Sequence, residues 1–153
     1  MGPIVLRRYR MKKVYPVIFT KTEENILVEV PDLRIMTEGK DMVDAIDMAR
    51  DAIGLHGITL EDLGQEISVA SDMAEIDVTK GTFAEEGIGM ISMVDVDFAE
   101  YRRRVDNKTV RRNVTLPNWL NREAEAAHIN VSKVLQEALM AKLDVIRPLN
   151  GRR

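Results

Sequence analysis

Three polar side chains near the carboxyl end of the 153-residue chain could read the edges of DNA bases. Arg111, Asn113 and Thr115 occupy alternate positions, which places them on one face of a β-strand. In the major groove, arginine donates to guanine, asparagine pairs with the adenine edge, and threonine contacts the thymine methyl group. The opposite face of the strand holds three apolar residues, Val110, Val114 and Leu116. The pattern predicts a strand with one face for DNA and one face for a core.

Two helices are predicted to follow this strand. Pro117 ends the strand and suits the first turn of a helix over 118–127. A turn over 128–130 leads to a second helix over 131–143, for which Asn130 is a good N-cap. The first N–H groups of a helix suit a DNA phosphate, and we assign this contact to Asn130, Val131, Ser132 and Lys133.

This strand and its two helices cannot form a stable domain alone. About 35 residues are too few to bury a core, and a lone strand leaves both edges unpaired. Both problems disappear if two chains pair their strands antiparallel and share their helices. The product is a two-stranded ribbon of a kind that fits the major groove. We therefore expect a homodimer, and leave open whether two dimers associate into a tetramer.

Charge divides the chain into an acidic and a basic part. Residues 14–100 carry 20 acidic and 5 basic side chains, whereas residues 101–153 carry 5 acidic and 12 basic ones. The first part should attract a basic partner and the second a phosphate backbone.

The chain has no cysteine, which fits a reducing cytoplasm, and no apolar run long enough to span a membrane. Residues 1–13 are interpreted as a leader or an alternative start.

The sequence gives little support for an enzymatic activity. Asp95, Asp97 and Glu100 could suggest a magnesium site, but neighbouring carboxylates are expected on the solvated face of so acidic a segment. His56 is interpreted as a loop residue and His128 as a turn residue. Three serines, Ser68, Ser71 and Ser92, lack a nucleophile-elbow context. We expect no catalytic residue, no metal and no cofactor.

The acidic part is predicted to be a small antiparallel sheet with one helix. Strands are expected over 14–20, 26–30 and 34–37, with Pro16 favouring an edge position or a strand start. An amphipathic helix should begin after Asp41 and end at Gly54, with one further helical turn over 58–63. Residues 65–87 look irregular, and 88–98 reads as a strand whose second half alternates. The fold class is α+β.

The carboxyl-terminal pattern resembles the ribbon-helix-helix family. The strand Arg111-Arg112-Asn113-Val114-Thr115-Leu116-Pro117 and the segment 129–139 carry the resemblance. Arg112 stands where the family usually has an apolar residue. His128 stands where glycine is common, and a left-handed backbone is therefore expected there.

The first part resembles HicB antitoxins. The resemblance lies in the runs Tyr15-Pro16-Val17-Ile18-Phe19, Val30-Pro31-Asp32-Leu33 and Thr37-Glu38-Gly39, and in the helix around Ala45 and Ala49. The segment 91–101 is similar to a longer HicB subgroup that ends in a ribbon-helix-helix module. The resemblance implies a degenerate ribonuclease H-like domain without working carboxylates, which binds and masks a HicA toxin, a small basic ribonuclease that cleaves mRNA. It also implies a module that represses the toxin–antitoxin operon.

These patterns together define the expected organisation. Residues 14–98 form the toxin-binding domain, 99–108 a basic connector without a core pattern, 109–147 the DNA-binding module and 148–153 a tail. The toxin contacts are assigned to four acidic residues, Glu23, Glu24, Asp32 and Glu38. Two alternatives stay open: a transcriptional regulator that senses a small ligand without a toxin partner, and a metal-dependent nuclease.

Overall fold

A computed structural model describes residues 12–143. It divides into two compact units with the boundary between Asp106 and Asn107. Most of the expected leader, the end of the DNA-binding module and the tail lie outside the described residues. No helix in the described part is long and apolar enough to cross a membrane.

The first unit contains a four-stranded antiparallel sheet with the order β3-β2-β1-β4. The strands are β1 (Lys12–Lys21), β2 (Ile26–Val30), β3 (Ile35–Gly39) and β4 (Ile88–Asp97). A four-residue polar turn joins β1 to β2, and its Thr22 N–H donates to the Asn25 carbonyl at 2.9 Å. All four predicted strands are confirmed. The sequence did not reveal that the edge strand β4 pairs with the central strand β1 along its whole length.

Pro16 lies within a central strand, at a place where β4 pairs with it and β2 does not. The ladder between β1 and β2 covers only residues 18–21 of β1, whereas the ladder to β4 covers the whole strand. Pro16 is opposite Met93 of β4 and precedes the first residue that pairs with β2. The expectation of an edge position therefore holds for this end of β1 alone, since a proline lacks the N–H that a second ladder would use.

The core lies between the sheet and helix α1 (Met42–Asp62). Residues 15–20 of β1 are all buried, so both faces of this strand are covered. Tyr15, Val17 and Phe19 pack with the small residues Ala45 and Ala49, which let the helix approach the sheet closely. The helix begins as predicted, because the Asp41 carboxylate accepts the Asp44 N–H at 2.8 Å as an N-cap.

Helix α1 does not end at Gly54, and that prediction was wrong. The helix runs on through Gly54 and Gly57 to Asp62, and Gly64 follows it with a φ of 69°. His56 consequently lies inside a helix rather than in a loop. The two glycines are needed for packing, because a Cβ at Gly54 would meet the ring of Tyr101 and a Cβ at Gly57 would meet that of Phe98.

Those two rings belong to a helix where a connector was expected. Helix α2 (Phe98–Val105) follows β4 directly and is capped by Asp97, whose carboxylate accepts the Glu100 N–H at 3.0 Å. Phe98 and Tyr101 are one helical turn apart and are both buried against α1. The segment therefore has a core pattern, which is short because only one turn of the helix makes the contact.

Residues 65–87 are irregular, as expected, apart from two 3₁₀ turns, Met73–Glu75 and Val78–Lys80. Ile67 and Ala70 of this segment pack against the core that the sheet forms with α1. Side-chain hydrogen bonds join this segment to the sheet at three points. The Tyr15 hydroxyl donates to the Ser68 carbonyl at 2.7 Å, Ser71 donates to Asp32, and the Thr82 N–H donates to Glu29 at 2.8 Å.

The second unit contains helices α3 (Asn118–Ala126) and α4 (Val131–Lys142), both at their predicted places. The turn between them has His128 at φ 53°, which confirms the left-handed backbone expected there. The strand predicted over 110–116 is not formed, since residues 106–117 have no regular structure in the single chain. A ribbon strand obtains its hydrogen bonds from a second chain, so one chain alone has no ladder to form.

Candidate nucleic-acid interface and partner-binding surfaces

The three residues predicted to read bases are all exposed. Arg111, Asn113 and Thr115 lie in the extended stretch before α3. Their alternation still places them on one face if this stretch becomes a strand. Within the single chain they form no fixed constellation, so their chemistry depends on the ordering of that stretch.

The four residues predicted to bind phosphate meet at the first turn of α4. The Asn130 carboxamide oxygen accepts the Lys133 N–H at 3.1 Å, which confirms Asn130 as the N-cap. Asn130 thus uses its oxygen on the helix, and its amide group remains to face outward. The N–H groups of Val131 and Ser132 belong to the turn that has no intrahelical acceptors. The exposed Lys133 side chain adds a positive charge beside them.

The second unit exposes apolar side chains instead of burying them. None of residues 107–143 is buried. The exposed fractions of Val110, Trp119 and Val134 are 88%, 62% and 51%. Further exposed apolar residues are Val114, Leu120, Ile129, Leu139 and Leu143. Residues 107–143 of this unit therefore have an apolar surface but no core of their own.

Three of the four acidic residues assigned to a partner meet at one end of the sheet. Glu23 and Glu24 are exposed in the β1–β2 turn. Glu38 of β3 pairs with Leu27 beside that turn, and its carboxylate accepts the Asn25 amide at 2.7 Å. Asp32 lies elsewhere, after β2, where its carboxylate accepts the N–H and hydroxyl of Ser71. The geometry thus gives Asp32 an internal structural contact.

Two further carboxylates at this end were missed by sequence reasoning. Glu85 and Glu86 are exposed just before β4, and the first residue of that strand, Ile88, pairs with Lys21 beside the β1–β2 turn. We call the set Glu23, Glu24, Glu38, Glu85 and Glu86 the acidic sheet end. Only the register of β4 on β1 brings the last two to the others, and no local pattern indicates that register.

Asp95 and Asp97 are engaged within the fold. The Asp95 carboxylate is 2.8 Å from Lys12 Nζ and 3.1 Å from an Arg50 guanidinium nitrogen. Hydrogen bonds from Lys12 and then Arg50 hold the pKa of Asp95 below its ordinary value. Asp97 caps α2. Within residues 12–143, no group of three or more histidine or acidic side chains is arranged to hold a metal ion.

The family model described as HicB-like antitoxin of bacterial toxin–antitoxin system matches residues 15–144. The chain belongs to this family. The match spans both units, so the antitoxin family pattern includes the acidic sheet domain as well as the helical unit.

One solved structure shares the fold, and two others are similar to this chain in sequence. A chain of a toxin–antitoxin complex from Streptococcus pneumoniae is 24% identical, with a TM-score of 0.56, and the alignment covers 86% of this chain and 99% of that one. The antitoxin HicB of Burkholderia pseudomallei is 25% identical over 88% of this chain and 99% of its own, with a TM-score of 0.48. A chain of a HicA3 and HicB3 toxin–antitoxin complex is 24% identical over 56% and 99%, with a TM-score of 0.46. No curated protein matches the antitoxin significantly.

The three consecutive arginines of α2 have different surroundings in this antitoxin. The Arg102 guanidinium is 2.8 Å from Glu61, 2.9 Å from Asp62 and 3.2 Å from the Ile58 carbonyl. The hydrogen bonds to Glu61 and Asp62 raise the pKa of Arg102 above its ordinary value. Arg104 lies over the Tyr101 ring, 5.2 Å from its centroid, and Arg103 is exposed. Sequence reasoning treated these arginines as one basic run.

Proposed function

We propose that this HicB-like antitoxin neutralises a HicA-type, mRNA-cleaving ribonuclease with its first unit. In this proposal its second unit represses the antitoxin's own operon as a dimeric ribbon-helix-helix module. The antitoxin itself acts by binding, without a catalytic residue, metal or cofactor. Since mRNA and operator DNA are both in the bacterial cytoplasm, the proposed location is there.

The observation that carries the DNA-binding half is the absence of a core among residues 107–143. Apolar side chains on 110–116, α3 and α4 are exposed together. Water disfavours such a surface by about 25 cal/mol per Å² of apolar area, and a second copy offers the complementary one. The proposed ribbon also gives the unpaired stretch 110–116 a partner strand, and the His128 turn and Asn130 cap already have the geometry that the module needs.

In the proposed ribbon, the two faces of the strand have separate roles. Arg111, Asn113 and Thr115 face the major groove, where each can form the base contact described for its side chain. The first turn of α4, from Asn130 to Lys133, meets a phosphate and sets the register of the ribbon on the duplex. Repression follows because a dimer bound at the operator competes with transcription.

Charge supports the toxin-binding half. Residues 14–100 carry 20 acidic and 5 basic side chains. The acidic sheet end, composed of Glu23, Glu24, Glu38, Glu85 and Glu86, places five carboxylates beside one turn. A ribonuclease that binds RNA presents basic side chains, so an acidic domain attracts it and competes with its substrate. Asp32 lies away from this end and its carboxylate already accepts two hydrogen bonds from Ser71, so the proposed contact is centred on the other residues.

Calorimetry with the product of a short, basic neighbouring reading frame tests the toxin-binding half. Full-length antitoxin should bind that protein and suppress its RNA cleavage, and a fragment ending at Asp106 should do so too. Ending the fragment there keeps α2 and its buried Phe98 and Tyr101. Binding of operator DNA without binding of that protein would instead indicate a ligand-sensing regulator. Magnesium-dependent RNA cleavage by the antitoxin, lost in Asp95→Asn, would contradict the binding-only assignment.

A further inference from the structure

We propose that Arg103 and Arg104 of helix α2 form a second contact with the phosphate backbone of duplex DNA, outside the ribbon. The inference rests on the proposed DNA binding of the second unit. It gives a role to the arginine run that the toxin-binding and base-reading functions leave unused.

Helix α2 is held firmly on the first unit. Phe98 and Tyr101 are buried where Gly57 and Gly54 leave room for their rings. The Tyr101 hydroxyl also donates to Asp51 at 3.0 Å. A helix fixed in this way presents its remaining side chains in a defined direction. Binding to them therefore costs little entropy for ordering the backbone.

Of the three arginines, Arg102 is the one that forms ion pairs with α1. Its guanidinium is paired with two carboxylates, Glu61 and Asp62, which neutralise its charge. Arg103 is about 100° further around the helix and is exposed. Arg104 is exposed too, and its contact with the Tyr101 ring leaves guanidinium N–H groups at the rim available to an anion. Two of the three arginines therefore face outward as charged donors.

The expected partner is a phosphate backbone rather than the toxin. A guanidinium matches phosphate oxygens in geometry and charge, whereas a basic ribonuclease is repelled by it. The run 102–112 contains six basic residues and one acidic residue. Seven residues of chain from Arg104 to Arg111 span at most about 25 Å. Phosphates of a duplex whose bases contact Arg111 therefore lie within the length of chain that joins Arg111 to Arg104.

Salt dependence of DNA binding by the full-length antitoxin tests the proposal. Operator and scrambled duplexes are titrated between 50 and 200 mM salt by fluorescence anisotropy. Arg103→Gln removes one contact per chain and two per dimer, so the slope of log K against log salt should become less steep by about 1.8. The double variant Arg103→Gln/Arg104→Gln should make this slope less steep still. Affinity for both duplexes should fall by the same factor, because phosphate contacts carry no sequence information.

Arg102→Gln is the matched control, since it removes the same charge from the same helix. Because Glu61 and Asp62 neutralise Arg102, this variant should keep the wild-type slope and lose thermal stability instead. Toxin binding should be unchanged in Arg103→Gln/Arg104→Gln, which shows that the first unit is folded.

Three results would overturn the inference. If the wild type binds the operator and Arg103→Gln/Arg104→Gln has the same slope, the second contact does not exist and the proposed function stands. If Arg102→Gln lowers the slope as much as Arg103→Gln, the effect is one of overall charge. If the wild type binds neither duplex, the proposed DNA binding fails, and this inference fails with it.

Discussion

The ring of Tyr101 occupies the space that a side chain at Gly54 would enter. A Cβ placed on Gly54 would be 2.5 Å from Tyr101 Cδ2, closer than carbon atoms pack in proteins. The two residues belong to helices α1 and α2, which are separated by the irregular segment and β4. A glycine in the middle of a 21-residue helix is thus explained by a ring 47 positions later in the sequence.

Gly54→Ala should destabilise the first unit. Alanine favours a helix interior by about 1 kcal/mol over glycine, but overpacking a core costs about 1–3 kcal/mol, so we expect a net loss of up to about 2 kcal/mol. Urea denaturation followed by circular dichroism measures it. The loss should be smaller in a Tyr101→Leu background, because leucine lacks the planar ring over Gly54. A Gly54→Ala variant more stable than the wild type would contradict the packing of α2 on α1.

This relationship shows which parts of the fold local sequence can indicate. The strand at 26–30 is observed at its predicted bounds because alternation and flanking turns are local signals. Gly54 has the local pattern of a helix end, whereas the helix ends at Asp62, just before Gly64 with its positive φ. The helix continues past Gly54 because α1 packs against the rings of the distant helix α2. The periodicity of apolar residues within α1 contains no information about that contact.

The candidate site divides in the same way. The Asn130 cap and the His128 turn were predictable, since each depends on residues within one helical turn. The role of Asp32 was not, because its partner Ser71 is 39 positions away. Glu85 and Glu86 join the acidic sheet end only through the pairing of β4 with β1. The proposed ribbon strand would pair with a second chain, so a single chain offers it no partner strand.

Asp95→Asn should lower stability at neutral pH and have no effect in acid. Lys12 and Arg50 hold the pKa of Asp95 below its ordinary value of 3.8, so the folded state favours the ionised carboxylate. That stability is fully present above the ordinary pKa and is lost as pH falls through the lowered one. Urea denaturation from pH 7 downward should therefore show the wild-type and Asp95→Asn curves converging below about pH 4. Glu85→Gln, at an exposed position, serves as control. A constant difference across this range would exclude the ion pairs as its cause.

Arg112→Leu should strengthen the proposed dimer. Arg112 alternates with Val110 and Val114 on the face of the strand that would meet the helices, and burying a charge there is unfavourable. Leucine adds a buried side chain worth about 1.5–3 kcal/mol, so the dissociation constant should fall by about tenfold or more. Sedimentation across a dilution series measures it. Arg111→Leu, on the outer face, should leave the dimer affinity unchanged; an equal gain from both variants would contradict the assignment of the two faces.

Arg111→Ala should weaken operator binding by about 1–3 kcal/mol and relax the sequence preference at one position, because a base contact is lost. Lys133→Ala should weaken operator and scrambled DNA alike, since it removes only a phosphate contact. Anisotropy titrations with single-base operator variants distinguish the two. Unchanged operator affinity in Arg111→Ala would contradict the ribbon assignment.

His128→Gly should stabilise the second unit. His128 has φ 53° in a turn where its N–H donates to the Glu125 carbonyl at 3.1 Å and the Ile129 N–H donates to the Ala124 carbonyl at 2.9 Å, the hydrogen bonds of a Schellman motif. A left-handed backbone costs a residue with a Cβ about 1–2 kcal/mol, and glycine avoids this cost. Glycine also makes the unfolded chain more flexible, which lowers the free energy of unfolding by about 0.4–1 kcal/mol. The net gain should be about 0.5–1 kcal/mol, measured by thermal unfolding at a fixed chain concentration because a dimer melts at a temperature that depends on it. His128→Asn should change little and His128→Val should destabilise, since asparagine tolerates this backbone and a β-branched residue does not. If glycine lowers the melting temperature while valine leaves it unchanged, the turn is held by contacts of the imidazole and not by its backbone geometry.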